Sequence, residues 1–310
     1  MAAPEIVCFG ECMVELSRVP EADAWLAGFA GDTANVAVYC ARAGRATAYM
    51  TALGQDRFST EIGAFLADED IDLSLILVDP DRVPGLYAIR TDDTGERSFT
   101  YWRENSAARH FFDRKGASGA LERASEARLL YLSGITLSLF GHEDRKRIVE
   151  LAKSMRSRGA DVAFDGNYRR RGWQDAEEAR SAFAQIAPHC SIVLPTFEDE
   201  VSLFGDISPE QSFERWHNGG ARTVALKLGA DGAIISGSAG QTHVPSATPR
   251  RPVDTTGAGD SFNAAFLTAL LDGADPVAAA HAGNRLAAEV IMHRGAIIER
   301  DAMPRQATPA

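Results

Sequence analysis

The stretch Asp254-Thr255-Thr256-Gly257-Ala258-Gly259-Asp260-Ser261-Phe262 decides how the rest of this chain is read. Its small residues let the backbone come close to an anion. The helical pattern that follows, from Ala258 to Leu271, aims the unpaired N–H groups of a helix start at the same point. Such a turn offers positive partial charge without a cationic side chain, which suits the equatorial oxygens of a transferring phosphoryl group. Asp260 stands at the helix start, where the N–H groups favour its ionised form, and it is placed to take a proton from an incoming hydroxyl. The same position also suits a first-turn carboxylate that only caps the helix. The segment has neither the GxxxxGK[ST] of a Walker A loop nor a complete GxGxxG dinucleotide fingerprint.

Upstream of this turn, short apolar runs bounded by turn residues recur: IVCF at 6–9, TAYMTAL at 47–53, LLYLS at 129–133, VAF at 162–164, SIVL at 191–194 and TVALKL at 223–228. They read as strands. Helical patterns lie between them at 34–43, at 58–66 and before Gly159, and a last helix is expected over 275–293. Alternating strands and helices predict a layered α/β protein with both sheet faces covered. Residues 86–102, LYAIRTDDTGERSFTYW, break the alternation as a hairpin with a polar turn, and with residues 12–32 they are expected to form a small flanking sheet over the mouth of the main body. Only the first few residues and the RQATPA tail read as frayed.

A chain of 310 residues supports one main domain with a small accessory element. The formal net charge of −11 argues against a nucleic-acid surface, while a local basic pocket still serves a small anion. Cys8, Cys12, Cys40 and Cys190 are too scattered for a disulfide framework or a zinc site, and no apolar run reads as a signal peptide or a membrane span. A cytoplasmic protein with no membrane partner is expected.

DTTGAGDSF resembles the C-terminal signature of the ribokinase-like, or PfkB, carbohydrate-kinase family, and Gly31-Asp32-Thr33-Ala34-Asn35 resembles that family's sugar-binding motif. The resemblance covers nearly the whole chain. FGECMVEL at 9–16, PGLYAIRTDDTGERSFTYWR at 84–103, FDGNYRRRGW at 164–173 and HRGAIIERDAMP at 293–304 are similar to the branch that acts on 2-dehydro-3-deoxygluconate. It implies a Rossmann-like three-layer α/β/α ribokinase fold with a small β-sheet lid, the main domain spanning 1–11, 33–83 and 110–310 and the lid 12–32 and 84–109. It also implies transfer of the ATP γ-phosphoryl group to the 6-hydroxyl of that keto acid.

The resemblance further assigns roles. Asp260 is the base, and Gly257, Ala258 and Gly259 form the anion hole. Gly31, Asp32, Asn35, Tyr87, Tyr101, Arg103 and Arg169 surround the sugar acid, while Asn167, Lys227, Gly229 and Asn284 join Gly257 and Gly259 at the nucleotide. Mg²⁺ accompanies ATP. Where the family has Asn-x-x-Glu this chain has Thr196-Phe197-Glu198-Asp199, which leaves Asp199 as a metal-water ligand with Glu200 behind it. Asp254 and the loop around Gly295 are the family-level place for a monovalent cation. Taken as residues alone, Tyr101 and Arg103 share a strand face, Gly31 leaves room for close approach, and Lys227 reads as an ordinary strand-end lysine. A lid of two sheet pieces also predicts a homo-dimer or a multiple of dimers. A kinase for fructose or for 2-dehydro-3-deoxygalactonate, and a noncatalytic sugar or nucleotide sensor, are the competing readings.

Overall fold

The computed structural model describes residues 3–19, 24–91, 97–238, 240–247 and 251–304. The polar turn expected at 92–96 and the RQATPA tail lie outside the described residues. The chain runs β1 (Ile6–Phe9), β2 (Met13–Val19), β3 (Ala24–Ala30), α1 (Asp32–Arg42), β4 (Thr47–Leu53), α2 (Arg57–Asp68), β5 (Ile76–Val78), β6 (Leu86–Thr91) and β7 (Arg97–Trp102). It continues through α3 (Ala117–Ala124), β8 (Leu129–Ser133), α4 (Gly134–Ser138), α5 (His142–Ser157), β9 (Asp161–Asp165), α6 (Ala176–Ile186), β10 (Ile192–Val193), α7 (Phe197–Phe204) and α8 (Pro209–Asn218). It ends with β11 (Thr223–Lys227), β12 (Ala233–Gly237), β13 (Gly240–Val244), α9 (Ala258–Leu271) and α10 (Pro276–Val290).

Nine strands form one sheet in the order β13-β12-β11-β10-β9-β8-β1-β4-β5, parallel except where β11, β12 and β13 pair antiparallel. Alternate residues of β1 face opposite cores: Ile6 and Cys8 join the side covered by α1, α2, α9 and α10, and Val7 and Phe9 the side covered by α3, α5, α6 and α8. Burial on both faces explains why IVCF and TAYMTAL are continuous apolar runs rather than alternating ones. The architecture is the three-layer α/β/α sandwich expected, and α9 and the strands at 6–9, 47–53 and 129–133 have the expected limits.

Helix α9 is buried on nearly every side, from Ser261 through Ala264 and again from Phe266 to Thr268. Helix α10 comes close to it because Gly283 has no Cβ, which would stand 2.6 Å from a carbon of the Phe262 ring. Asp275 starts α10 by accepting from Val277 N at 2.9 Å and Ala278 N at 3.0 Å, with Pro276 in the first turn.

A second sheet of four strands, β3-β2-β6-β7, stands apart from the first. Its β2–β6 pair is parallel and its outer pairs antiparallel. Leu26 (66% exposed) and Trp102 (57%) leave large apolar surface on it. Among the described residues no helix is long and apolar enough to cross a membrane.

The loop after α10 is pinned to α1 by one phenol. Tyr39, 1% exposed, donates its OH to Ala296 O at 2.8 Å and accepts from Ile298 N at 3.1 Å. Tyr39→Phe leaves both buried backbone groups without that partner and is expected to cost about 1–3 kcal/mol. The shift of the urea midpoint measures it; an unchanged midpoint would show that the loop's hydrogen bonds contribute nothing net.

Candidate active site

The carboxyl ends of β8, β9 and β11 and the first turns of α1 and α9 bring three carboxylates, Asp32, Asp165 and Asp260, to one edge of the sheet. Each is held by neutral or cationic donors. Asp32, half-buried, accepts from Ser133 Oγ and from Asn167 Nδ2 at 2.9 Å. Asp165, 3% exposed, accepts from Lys227 Nζ at 2.8 Å and Asn263 Nδ2 at 2.6 Å. Asp260, half-buried, accepts from Asn35 Nδ2 at 2.7 Å.

Burial pushes the Asp260 carboxyl up to about 7, the Asp32 and Asp165 charges adding to the rise and Asn35 and Lys227 opposing it. This runs against the expectation that the helix start keeps Asp260 readily ionised, because burial and two neighbouring carboxylates disfavour the charge. Burial also raises Asp32, against the hydrogen bonds from Ser133, Thr33 and Asn167.

The turn before α9 is shaped by Gly257, whose φ of 75° is left-handed and whose Cβ would stand 2.6 Å from Ala296 O. The first regular helical bond runs from Ser261 N to Gly257 O at 2.8 Å, and Ala258 N returns to Thr255 O at 3.3 Å. Among the described residues the amides of Gly257, Gly259 and Asp260 are therefore left without a backbone acceptor, so of the expected Gly257, Ala258 and Gly259 only Ala258 spends its N–H on the chain, and Asp260 adds a donor. Lys227 Nζ lies 3.6 Å from where a Cβ on Gly259 would be. Lys227 is 7% exposed, not solvent-facing, because Asp165 and Asn263 hold it inward. Both oxygens of Asp254 brace the turn, one taking Thr256 N at 2.8 Å and the other Gly295 N at 3.0 Å. That brings Asp254 and Gly295 together as a brace.

Gly31 stands before α1 in extended backbone, and its missing Cβ would lie 2.0 Å from Glu11 O, so the room it makes is taken by this chain's own backbone rather than by a ligand. In the second sheet Glu15, Tyr87 and Tyr101 fall in one cross-strand row. Tyr87 OH donates to Glu15, and the Tyr87 and Tyr101 ring centroids are 5.7 Å apart. Arg103 lies beyond the end of β7, so strand parity does not orient it; it ion-pairs with the buried Glu11.

Arg169 and Asp199, expected at the sugar acid and the metal, pair with each other, Nη1 lying 3.0 Å from Oδ1. The Arg169 side chain is 58% exposed. Glu200 is spent: its Oε2 takes Arg215 Nη1 and, at 3.0 Å, Trp216 Nε1, and burial pushes its carboxyl up to about 8. Asn284 is spent as well, donating to Val244 O at 3.1 Å and Pro245 O at 2.9 Å and so fastening the strand after β12 to α10. Asn167, with φ 31°, turns its amide to Asp32 and its backbone N–H to Asp165 Oδ1 at 3.1 Å, siding with the sugar motif rather than the nucleotide turn. Gly229 opens the short turn between β11 and β12, with open space where a side chain would stand.

The sequence reading misses Ser133, Asn263, Glu15 and Glu11, as well as Tyr131, whose OH accepts from Asn263 Nδ2 at 3.0 Å. Asn263 carried a signal, being a lone amide on an otherwise apolar helix one turn after Asp260. Among the described residues no three His, Cys, Asp or Glu come together as a metal cage. Asp199, the residue expected at a metal-bound water, is paired with Arg169.

A family model described as pfkB family carbohydrate kinase matches residues 3–303. The 2-dehydro-3-deoxygluconokinase of Dickeya dadantii (strain 3937) is 39% identical over 312 residues, covering 98% of this chain and 100% of that protein. The crystal structure of a PfkB protein from Polaromonas sp. JS666 superposes with a TM-score of 0.81 at 29% identity, over 94% of this chain and 96% of that one. The crystal structure of the fructokinase of Vibrio cholerae O395, with fructose, ADP and calcium ion bound, superposes with a TM-score of 0.80 at 25% identity, over 95% and 94% of the two chains. With a family model spanning nearly its whole length and an edge of carboxylates beside an amide-bearing turn, this chain belongs to the pfkB family of carbohydrate kinases.

Proposed function

We propose that the chain transfers the γ-phosphoryl group of ATP to the 6-hydroxyl of 2-dehydro-3-deoxygluconate, with Asp260 taking the hydroxyl proton. The observation that carries this is the meeting, at the start of α9, of a carboxylate poised near neutral pH with two amides that the helix leaves unbonded. The substrate assignment is supported by 39% identity to a 2-dehydro-3-deoxygluconokinase over the full length of both chains. The bound ADP of the Vibrio cholerae fructokinase supports the nucleotide.

In this reading the four-stranded sheet is the lid, and Tyr87 and Tyr101 present their row of rings and hydroxyls to the sugar. Asp32 and Asn35, already fixed by Ser133, Asn167 and Gly31, hold hydroxyl groups. Ionised Asp260 accepts the proton as the 6-oxygen bonds to the γ-phosphorus and the bond from that phosphorus to the β,γ-bridging oxygen breaks, releasing ADP. The amides of Gly259 and Asp260 and the nearby Lys227 ammonium offset charge on the phosphoryl oxygens. Asp199 is the side chain that would hold a Mg²⁺ brought in with ATP, through water, and the ion would neutralise part of the phosphate charge. Arg169 exchanges Asp199 for the substrate carboxylate, a swap its exposed guanidinium allows.

Asp260→Asn is expected to lower kcat by about 10³-fold with KM little changed; near-normal turnover at saturating substrate would reject Asp260 as the base. Because the base must be ionised, kcat/KM should rise with pH and level off above about 7. A flat profile between about pH 5 and about pH 8 would remove the base from the free enzyme's ionisations.

The raised carboxyl also predicts a stability trade. Protonated Asp260 fits its site and ionised Asp260 strains it, so its contribution is full below 3.8 and lost as pH rises through about 7. Asp260→Asn should therefore melt higher than the parent at about pH 8 and level with it near about pH 4. Equal melting temperatures at both values would mean the site does not strain the charge.

Arg169→Ala should raise KM for the sugar acid by about tenfold while affecting fructose less. An equal loss on both sugars, or faster wild-type phosphorylation of fructose than of the acid, favours a neutral-ketose kinase.

A further inference from the structure

Where β1 runs out beneath the second sheet, the buried Glu11 and Ser106 lie with the partly exposed Arg103 and Arg109, on a run in which Ser106 N bonds to Arg103 O at 3.3 Å and Arg109 N to Ser106 O at 3.1 Å. Glu11 is 2% exposed and Ser106 3%. Gly85 closes around them: a Cβ there would stand 2.7 Å from Glu11 Oε1 and 3.0 Å from Arg103 Cβ. Arg103 forms an ion pair with Glu11. Yet among the described residues Arg103 Nε and Nη2, Arg109 Nε, Ser106 Oγ and both Glu11 oxygens make no well-directed hydrogen bond. Arg109 spends only Nη1, on Leu139 O at 3.2 Å.

The charges do not balance. Glu11 is one carboxylate, ion-paired with Arg103, and its charge also acts on the second guanidinium, Arg109. The nearby Glu104 is exposed to water, and Arg145 already has Glu178 at 2.8 Å and the Trp173 ring beneath it. Burial and the charge of Arg103 hold the Arg109 guanidinium below its ordinary range, with Glu11 and Glu104 only partly opposing them. Leaving a buried charge uncompensated is expensive, and a forked donor set of this kind matches a second carboxylate. The cluster also adjoins the sugar motif: Glu11 O touches Gly31, and Leu139 closes α4, whose start is capped by Ser133, the partner of Asp32.

We propose that Arg109 is a specificity-determining residue for the carboxylate of the sugar acid, completing with Arg103 a receptor whose positive charge Glu11 only half offsets. The inference rests on the sugar-acid reading above. It goes beyond Arg103 and Arg169 by adding a guanidinium from the segment after β7 and by giving Glu11 the role of orienting Arg103.

The test compares 2-dehydro-3-deoxygluconate with 3-deoxyfructose, in which a hydroxymethyl group replaces the carboxylate. Arg109→Met should raise KM for the acid by about tenfold or more, and Arg109→Lys, which keeps charge but loses the fork, by about threefold. KM for 3-deoxyfructose should stay within about twofold in both variants. Equal rises on both substrates, or no rise on the acid, overturn the assignment. If Arg109→Met does not fold, Arg109→Lys decides alone, and an unchanged KM for the acid sinks the inference. A wild-type chain that phosphorylates 3-deoxyfructose but not the acid sinks the sugar-acid reading itself, which is a different result from a wild type active on the acid and an indifferent Arg109.

Discussion

Three carboxylates crowd one dehydrated edge of the main sheet, and much of the polar interior exists to keep them there. Each alone is costly to bury as an anion. Lys227 and Asn263 hold Asp165, Ser133 and Asn167 hold Asp32, and Asn35 holds Asp260. The donors are not interchangeable. Among the described residues the only full counter-charge in hydrogen-bond contact with the three is given to Asp165, the most buried of them, while Asp260 receives one neutral amide and stays poised near neutrality. A salt bridge placed on Asp260 instead would lower its basicity and occupy an oxygen that the proposed proton transfer uses.

Backbone does the complementary work on the phosphate side. Gly257 adopts a left-handed torsion and tucks against Ala296, so the following helix begins with its amides turned outward rather than bonded back. The loop carrying Ala296 is in turn held by Tyr39 from α1, and Asp254 ties the turn to Gly295. The helix that presents the sugar motif thus also fixes the turn opposite it. That coupling keeps Asp260 and the turn amides in register with the sugar motif without a covalent link.

The second sheet contributes chemistry of another kind. Its row of Glu15, Tyr87 and Tyr101 is preorganised by strand register, whereas Arg103 and Arg169 are each engaged by a carboxylate of the chain itself, Glu11 and Asp199. A guanidinium already paired is oriented and partly dehydrated before any ligand arrives, and an incoming carboxylate exchanges one partner for another instead of assembling a site from free side chains.

Legibility in the sequence followed from how local each cause is. Doubly buried strands announce themselves as apolar runs, and the Gly257-Ala258-Gly259 turn with Asp260 behind it is a contiguous motif, so the layers of the fold and the turn that starts α9 were readable from residues close together in the chain. Helices α6, α7 and α8 were not individually marked, their apolar stripes being short and interrupted by charge. The pairings that set the site's electrostatics join residues far apart: Asn35 with Asp260, Lys227 with Asp165, Glu11 with Arg103, Glu200 with Arg215 and Trp216. Sequence alone determined which chemical groups this protein possesses and the order of its strands and helices. Tertiary structure alone decided which of those groups are spent on one another and which face the reaction, because burial and charge proximity are properties of neighbours in space, and no local pattern along the chain encodes them.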